Sequence, residues 1–125
     1  MILGVGIDLV DISRIEALMA KHPGRFLARV FTPEEIEYCT KRHDAATCLA
    51  GRFAAKEATF KALAAGRHSG IGFKDIRVNV LRGIPELELI GSARSRAMDL
   101  GAARMLLSIS HDKGCAVAVV ILEGQ

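Results

Sequence analysis

The sequence predicts an α+β fold, in which a mostly antiparallel sheet packs against a long central helix and shorter helices. Strand-like alternation at both ends of the chain and helix-capping signals between them support this prediction. The elements follow the order strand, helices, strand pair, helix, strand pair, which is typical of this class. Because the chain has 125 residues, half of them apolar, we expect residues 1–125 to form a single domain.

The first predicted strand covers residues 1–10 and has two unlike faces. One face carries branched apolar side chains, and the other carries Gly4, Gly6 and Asp8, because side chains alternate along a strand. Glycines leave room for another element to approach closely. We therefore expect Asp8 to lie at the end of a thinly covered surface.

Two short helices are predicted next. Residues 13–16 fit a capping box that opens a helix ending before Pro23, with Asp11 as a competing N-cap. Residues 32–35 give a stronger signal, because a capping box coincides there with a proline in the first turn. This second helix should end near Lys41.

A longer helix is predicted from Asp44, which suits an N-cap, to about Ala65, with Gly66 as a left-handed stop. Beyond it, a helix over residues 92–100 separates two strand pairs. The first pair covers residues 75–81 and 86–90 around a turn at 82–85, and the second covers 105–110 and 115–122 around a turn at 111–114. The last two strands are apolar on both faces, so we expect them to be covered on both sides.

The long helix has an unusual distribution of charge. Projected at about 100° per residue, its bulky apolar residues share one half with Arg52, Lys56, Glu57 and Lys61, while the other half is mostly alanine. A surface helix normally places its charges opposite its apolar residues. We therefore expect this helix to be covered nearly all round, so that a buried carboxylate would need a cation or a metal. An ordinary surface pair between Glu57 and Lys61 is the alternative.

Other candidate residues each have an ordinary interpretation beside a functional one. Asp8 could cap a turn, and His111 could be a simple hairpin side chain. The basic residues between positions 14 and 29 could form a solvated face or a docking surface for an acidic protein. These basic residues, opposed only by Glu16, are Arg14, Lys21, Arg25 and Arg29.

Composition excludes several classes of function. A net charge of +3, with one Tyr and no Trp, argues against nucleic-acid binding. The longest apolar run, residues 115–122, is too short to span a membrane. The N-terminus shows no export signal, so we expect a cytoplasmic protein whose three cysteines, none in a CxxC pair, are reduced. His22, His43 and His68 should lie in solvated loops and lack zinc-site spacing.

Five segments, taken in order, carry a family resemblance. They are Gly-Ile-Asp-Leu-Val-Asp-Ile-Ser-Arg-Ile at 6–15, Phe-Thr-Pro-Glu-Glu at 31–35, Arg-Phe-Ala-Ala-Lys-Glu-Ala at 52–58, Gly-Ile-Gly-Phe-Lys-Asp-Ile at 70–76 and Ser-Ile-Ser-His at 108–111. In this order, over essentially the whole chain, they resemble the bacterial holo-[acyl-carrier-protein] synthases, which are small 4'-phosphopantetheinyl transferases. The expected fold is accordingly the 4'-phosphopantetheinyl transferase fold.

The resemblance implies transfer of 4'-phosphopantetheine from coenzyme A to a serine of an apo acyl carrier protein. It implies that Asp8 and Glu57 hold Mg²⁺ and that Lys61 neutralises the coenzyme A pyrophosphate, these three being the catalytic residues. It assigns coenzyme contacts to Arg52, Ser110 and His111, along with Lys61. It also implies carrier docking by Arg14, Lys21, Arg25 and Arg29, and a homotrimer with coenzyme A bound between subunits.

From the residues alone, two alternatives remain open: a non-catalytic module that binds a nucleotide or an acidic protein, and a metal-dependent phosphohydrolase. The base that accepts the serine proton is also open, between a metal-bound water and a carboxylate.

Overall fold

The computed structural model describes residues 1–66 and 69–125, so the predicted loop position of His68 lies outside the described residues. The strands are β1 (Ile2–Asp11), β2 (Ile76–Leu81), β3 (Ile84–Leu89), β4 (Ala102–Asp112) and β5 (Cys115–Gly124). The helices are α1 (Ile12–Lys21), α2 (Arg25–Val30), α3 (Pro33–Thr40), α4 (Ala45–Ala62) and α5 (Gly91–Asp99). A short 3-10 turn, Phe73–Asp75, precedes β2.

The strands form two antiparallel sheets. One has the order β1-β5-β4, and the other is the hairpin of β2 and β3. In the larger sheet Asp8 lies opposite Ala118, and His111 lies opposite Ala116. Helix α4 packs across this sheet, and thirteen of its eighteen residues are buried. The predicted α+β class and the prediction of a helix covered nearly all round are therefore confirmed.

The close approach predicted for the glycines of β1 is also confirmed. A Cβ atom on Gly6 would lie 1.8 Å from the carbonyl oxygen of Ala58, and one on Gly4 would lie 2.2 Å from that of Ala62. No side chain fits between the strand and the helix at these points, so the two backbones are in direct contact. The alanine face of α4 is therefore the face that meets the sheet.

Several predicted helix boundaries need correction. Helix α1 starts at Ile12 with Asp11 at the N-cap position, so the capping box at residues 13–16 was wrong. The backbone amide of Ile12 donates to the carbonyl of Gly114 at 2.9 Å, and this contact with the distant hairpin places the end of β1. Helix α2 was missed, because six residues are too few to show a periodic pattern.

The capping box at residues 32–35 is confirmed. The Glu35 amide donates to the Thr32 hydroxyl at 3.2 Å, and the Thr32 amide donates to the Glu35 carboxylate at 2.8 Å. The end of α4 was misplaced: its left-handed residue is Ala64, with φ of +50°, and not Gly66. The Ala65 amide donates to the Phe60 carbonyl at 2.9 Å, which is the hydrogen bond of a Schellman motif. In this motif the left-handed residue directly precedes the donor, so it is Ala64.

Both hairpin turns are shorter than predicted. Arg82 and Gly83 have φ values of +53° and +80°, and Lys113 and Gly114 have +48° and +80°. Two consecutive residues with positive φ are typical of the two-residue turns whose twist matches that of the paired strands. Consequently His111 is a strand residue on β4 and not part of the turn.

The prediction that all three cysteines are reduced was wrong. Cys39 and Cys48 form a disulfide that joins α3 to α4, and their Cα atoms are 5.4 Å apart. The packing of the two helices brings them within bonding distance, which the sequence spacing does not reveal. Cys115 is free, and a hydrogen bond to the Asp11 carboxylate at 3.4 Å raises the pKa of its thiol.

Among the described residues, the larger sheet is covered on one face only. Its outer face includes four apolar side chains of β1 that are 37–67% exposed, namely Leu3, Val5, Ile7 and Leu9. The expectation that β4 and β5 are covered on both sides is thus met only on the face toward α4, as the partly exposed outer side chains of β5 show. Among residues 1–66 and 69–125, no helix combines the length and apolar character needed to cross a bilayer.

Candidate active site

The predicted acid of the first strand meets the predicted lysine of the central helix. Asp8 points toward α4 because it shares the strand face of Gly6, and its side chain is 17% exposed. The ammonium group of Lys61 donates to Asp8 Oδ1 at 3.1 Å and to the carbonyl of Ile7 at 2.8 Å. Two distant segments therefore converge at the end of β1.

Glu57 belongs to the same neighbourhood. It precedes Lys61 by one helical turn, so the two side chains project from neighbouring positions on α4. Both line a hollow of about 360 Å³, together with Phe60 and the loop residues Ala65, Gly66, Ile71, Gly72 and Phe73. Two of the three predicted catalytic residues, Glu57 and Lys61, therefore line the same hollow, and Asp8 is connected to it through its ion pair with Lys61.

The donor chemistry of this group fits the predicted Mg²⁺. Asp8 and Glu57 supply carboxylate oxygens, which are the ligands that this hard cation prefers. Within the described part of the chain, no three His, Cys, Asp or Glu side chains form a ready-made metal cluster. Magnesium is usually held by one or two protein carboxylates, with waters and substrate phosphates completing its shell.

A second hollow lies beside the first half of α4. It has a volume of about 360 Å³, and its lining includes Arg52, His111, Arg42 and Tyr38. The guanidinium groups of Arg52 and Arg42 lie 5.0 Å and 5.8 Å from the centre of the Tyr38 ring. Burial lowers the pKa of Arg52, but a guanidinium remains charged in a protein at neutral pH. This hollow therefore presents cationic groups and an aromatic ring to any ligand.

The sequence identified only part of this second hollow. Arg52 and His111 were both predicted to contact the coenzyme, whereas Tyr38 and Arg42 were missed. The one local feature of the sequence that points to an interaction of Arg42 is Asp44, two residues later, with which it forms an ion pair at 3.0 Å. The sequence around Tyr38 offers no comparable feature. Nothing in the sequence indicates that α3 ends beside Arg52.

Ser110 is separated from the other predicted coenzyme contacts. Side chains alternate along β4, so Ser110 and His111 point to opposite faces of the sheet. Ser110 is exposed, and the hollow is lined by its neighbours Ile109 and His111. Its predicted contact with the coenzyme stays a prediction.

The two hollows lie on different sides of helix α4. Arg52 and Lys61 are nine residues apart, and at about 100° per residue this separation places them on roughly opposite sides of the helix axis. One hollow therefore opens beside β4, and the other opens beside the end of β1 and the Phe73–Asp75 turn.

The four predicted docking residues are all exposed on α1 and α2. Arg25 and Arg29 line a third hollow with the apolar Leu18 and Phe26, and with His22. The guanidinium of Arg14 lies 5.6 Å from the centre of the Phe53 ring, which anchors it against α4. Lys21 is in the last turn of α1. The structure therefore presents a basic surface around an apolar hollow.

Comparison with known proteins identifies relatives along almost the whole chain. The 4'-phosphopantetheinyl transferase superfamily matches residues 4–118. The holo-[acyl-carrier-protein] synthase of Anaeromyxobacter sp. (strain K) is 50% identical over 127 aligned positions, which cover 99% of this chain and 98% of the relative. The synthase of Trichlorobacter lovleyi is 51% identical over 124 aligned positions, covering 98% of each.

Solved structures give the same result. The crystal structure of the Neisseria meningitidis synthase matches with a TM-score of 0.87 at 35% identity, covering 98% of this chain and 99% of that one. The Helicobacter pylori synthase, solved in complex with coenzyme A, matches with a TM-score of 0.84 at 35% identity, covering 95% and 99%. This chain belongs to the 4'-phosphopantetheinyl transferase superfamily, a family of enzymes.

Proposed function

We propose that this enzyme transfers 4'-phosphopantetheine from coenzyme A to a serine hydroxyl of an apo acyl carrier protein, in a reaction that requires Mg²⁺. The serine oxygen forms a bond to the phosphorus that bears pantetheine, and the pyrophosphate bond breaks. Adenosine 3',5'-bisphosphate leaves with the bridging oxygen, and the serine proton passes to a carboxylate or a water of the site. The observation that carries the proposal is that Lys61, which binds the Asp8 carboxylate, lines one hollow together with Glu57.

Each of these three residues has a chemical role suited to its position. Asp8 and Glu57 would hold the magnesium ion, which neutralises charge on the pyrophosphate when it is bound. Lys61 has three ammonium hydrogens, of which Asp8 and Ile7 receive two. The third can meet a phosphate oxygen. Because phosphoryl-type transfer depends mainly on positioning and charge neutralisation, these groups suffice for much of the catalysis.

The second hollow suits the nucleotide end of coenzyme A. Its arginines, Arg52 and Arg42, can pair with phosphate oxygens, and His111 supplies a further polar group. We assign Arg52, His111 and the sequence-predicted Ser110 to coenzyme binding. The Bacillus anthracis holo-(acyl-carrier-protein) synthase, solved in complex with CoA (3',5'-ADP), matches this chain with a TM-score of 0.81 at 36% identity.

Self-association explains how one coenzyme could reach both hollows. They lie on different sides of α4, so a ligand held by Arg52 of one subunit can meet Lys61 of a neighbour. The apolar outer face of β1, with Leu3, Val5, Ile7 and Leu9 exposed, offers a surface for packing between copies. We propose a homotrimer, which sedimentation equilibrium would test directly. A monomer or dimer at micromolar concentration would contradict it.

The basic surface of α1 and α2 is the proposed docking site for the carrier. Arg14, Lys21, Arg25 and Arg29 would face acidic side chains, and complementary charge speeds association. We further propose that residues 1–125 act as a single catalytic domain in the cytoplasm.

A mass measurement tests the proposed activity. The enzyme is incubated with coenzyme A, Mg²⁺ and an apo acyl carrier protein, and the carrier is expected to gain the mass of one phosphopantetheine. Chelation of Mg²⁺ by EDTA should abolish the gain, and added Mg²⁺ should restore it. No gain from a folded enzyme would favour a binding module, whereas nucleotide release without a carrier would favour a phosphohydrolase.

A further inference from the structure

Lys56 is a fully buried lysine that lies next to Glu57 on α4. Its side chain is 0% exposed, and its ammonium group has three oxygen partners. They are the carbonyl of Phe73 at 3.0 Å, the carbonyl of Ile76 at 2.5 Å and Glu35 Oε1 at 2.9 Å. An ammonium has three donors, so this group is fully satisfied by the protein. Lys56 therefore has no donor left for a ligand.

Glu35 supplies the charge that balances Lys56. Its side chain is 2% exposed, and it also accepts hydrogen bonds from the backbone amides of Thr32 at 2.8 Å and Val78 at 2.7 Å. The pair thus joins the start of α3, the middle of α4 and strand β2. Burial lowers the pKa of Lys56, and the Glu35 carboxylate acts against this effect.

The backbone that Lys56 holds is a wall of the candidate active site. The Phe73–Asp75 turn begins at Phe73, and both Phe73 and Gly72 line the hollow that contains Glu57 and Lys61. The two carbonyls that Lys56 binds, at Phe73 and Ile76, stand at either end of this turn. Residue 56 on the helix therefore fixes the turn, while residue 57 faces the hollow that the turn encloses.

The far side of the same turn is held by Asp75. Its Oδ2 atom accepts hydrogen bonds from the Gly72 amide at 3.0 Å and from the Ser92 hydroxyl at 3.3 Å. The Phe73 ring is also packed between Phe53, with ring centres 5.8 Å apart, and Phe60, at 5.5 Å. The turn is thus fixed from three directions, but the only charged group of α4 that holds its backbone, among the described residues, is Lys56.

Stability alone does not explain a buried pair of this kind. A buried ion pair often adds nothing compared with apolar residues of similar volume, because both charges lose their hydration. What the Lys56 ammonium specifies is the place of two carbonyl oxygens, and hence the distance between the turn and α4. An apolar side chain could fill the space without setting that distance.

We propose that Lys56 is a positioning residue for coenzyme A, which holds the Phe73–Asp75 turn as the wall of the hollow opposite Glu57. The proposal rests on the proposed function for its kinetic readout. The mobility of the turn is a second readout, which does not depend on activity.

The main test removes both buried charges together. In the double variant Glu35→Gln/Lys56→Met no unpaired charge remains, so the chain should fold. The expected KM for coenzyme A rises between about ten- and one-hundred-fold, as for a small misplacement of a binding group. The KM for the carrier should stay within about twofold, because its docking surface is on α1 and α2. Amide hydrogen exchange in residues 71–78 should become faster than in the unchanged enzyme.

The matched control is Val120→Ala. Val120 is a fully buried residue of β5 and is not a hydrogen-bond partner of Lys56, so its truncation destabilises the core and leaves the bonds from Lys56 to the turn in place. Both coenzyme and carrier KM should be unchanged in this control, with any loss confined to the active fraction. If Lys56→Met prevents folding of the double variant, Lys56→Gln replaces it, since the shorter amide cannot span both carbonyls.

Two results would overturn the proposal. One is a folded double variant in which the coenzyme KM and the exchange of residues 71–78 both match the unchanged enzyme. The other is a loss of activity that follows the folded fraction, as in Val120→Ala, with no change in KM. Failure of the unchanged enzyme to modify a carrier would contradict the proposed function instead, and the exchange measurement would still decide the role of Lys56.

Discussion

Two lysines of helix α4, five residues apart, have opposite environments. Lys56 is 0% exposed and donates to three oxygens of the protein, whereas Lys61 is 55% exposed and donates to two. Their carboxylate partners also differ, since the Glu35 side chain is 2% exposed and accepts two further backbone hydrogen bonds, whereas the Asp8 side chain is 17% exposed. The same residue type therefore serves the fold in one place and is available to a ligand in the other.

Structural and catalytic charges on one helix differ in how much of their hydrogen-bonding capacity the protein itself uses. A charge whose hydrogen-bonding capacity is used up inside the protein can only position its neighbours. A charge with capacity left over, beside a hollow, can act on a bound group. Removal of the first kind of charge should therefore lower the free energy of unfolding, whereas removal of the second kind should lower turnover.

The largest expected effect is on stability, at Lys56. Lys56→Met alone leaves Glu35 buried without its cation, which should lower the free energy of unfolding by about 3–5 kcal/mol. Urea titration measures this loss. The double variant Glu35→Gln/Lys56→Met should recover much of this loss. A single variant as stable as the unchanged chain would contradict the structural role of Lys56.

The next largest effect concerns the proposed metal ligands, Asp8 and Glu57. Glu57→Gln and Asp8→Asn each keep the side-chain size but remove a charge that would hold Mg²⁺, so turnover should fall at least about one-hundred-fold. Carrier modification followed by mass spectrometry gives the rate, and circular dichroism serves as the folding control. Near-normal turnover in either variant would contradict their assignment as metal ligands.

Lys61→Met should affect activity and leave stability almost unchanged. An exposed ion pair contributes about 0–1 kcal/mol, so the urea midpoint should barely move. Turnover should fall between about ten- and one-hundred-fold, because in the proposed reaction the coenzyme A pyrophosphate would lose a neutralising cation. A large loss of stability without a loss of turnover would reverse the roles assigned to the two lysines.

The smallest effect is expected at the proposed docking surface. Arg14→Glu should raise the KM for the carrier by about tenfold at low salt, with a smaller change at high salt, because exposed charges are screened. The KM for coenzyme A provides the internal control and should not change. Equal carrier KM values at low ionic strength would remove Arg14 from the docking surface.

Local signals predicted the parts of the fold that depend on neighbouring residues. The capping box at residues 32–35 and the glycines at positions 4 and 6 were correctly interpreted, because a cap and a missing side chain each act at short range. The start of α1 was not, since the Ile12 amide bonds to Gly114 at the other end of the chain. The disulfide between Cys39 and Cys48 was missed because it depends on how α3 packs against α4, which a spacing of nine residues does not reveal.

The candidate site follows a similar division. The charged residues of α4 stood out because they share a half of the helix with bulky apolar residues, and Asp8 stood out at the end of a glycine-bearing strand. That Lys56 and Lys61 would separate into a buried and an exposed group could not be predicted, because the partners of Lys56 lie 17 to 21 residues away in sequence.

The contact between β1 and α4 has a consequence for redesign of the enzyme. With only glycines between them at Gly4 and Gly6, the span from the Asp8 backbone to the helix is set by main-chain atoms touching each other. Exchanging side chains elsewhere leaves that span untouched. An attempt to admit a bulkier coenzyme analogue should therefore change residues 71–73 and leave the backbone contact between β1 and α4 unaltered.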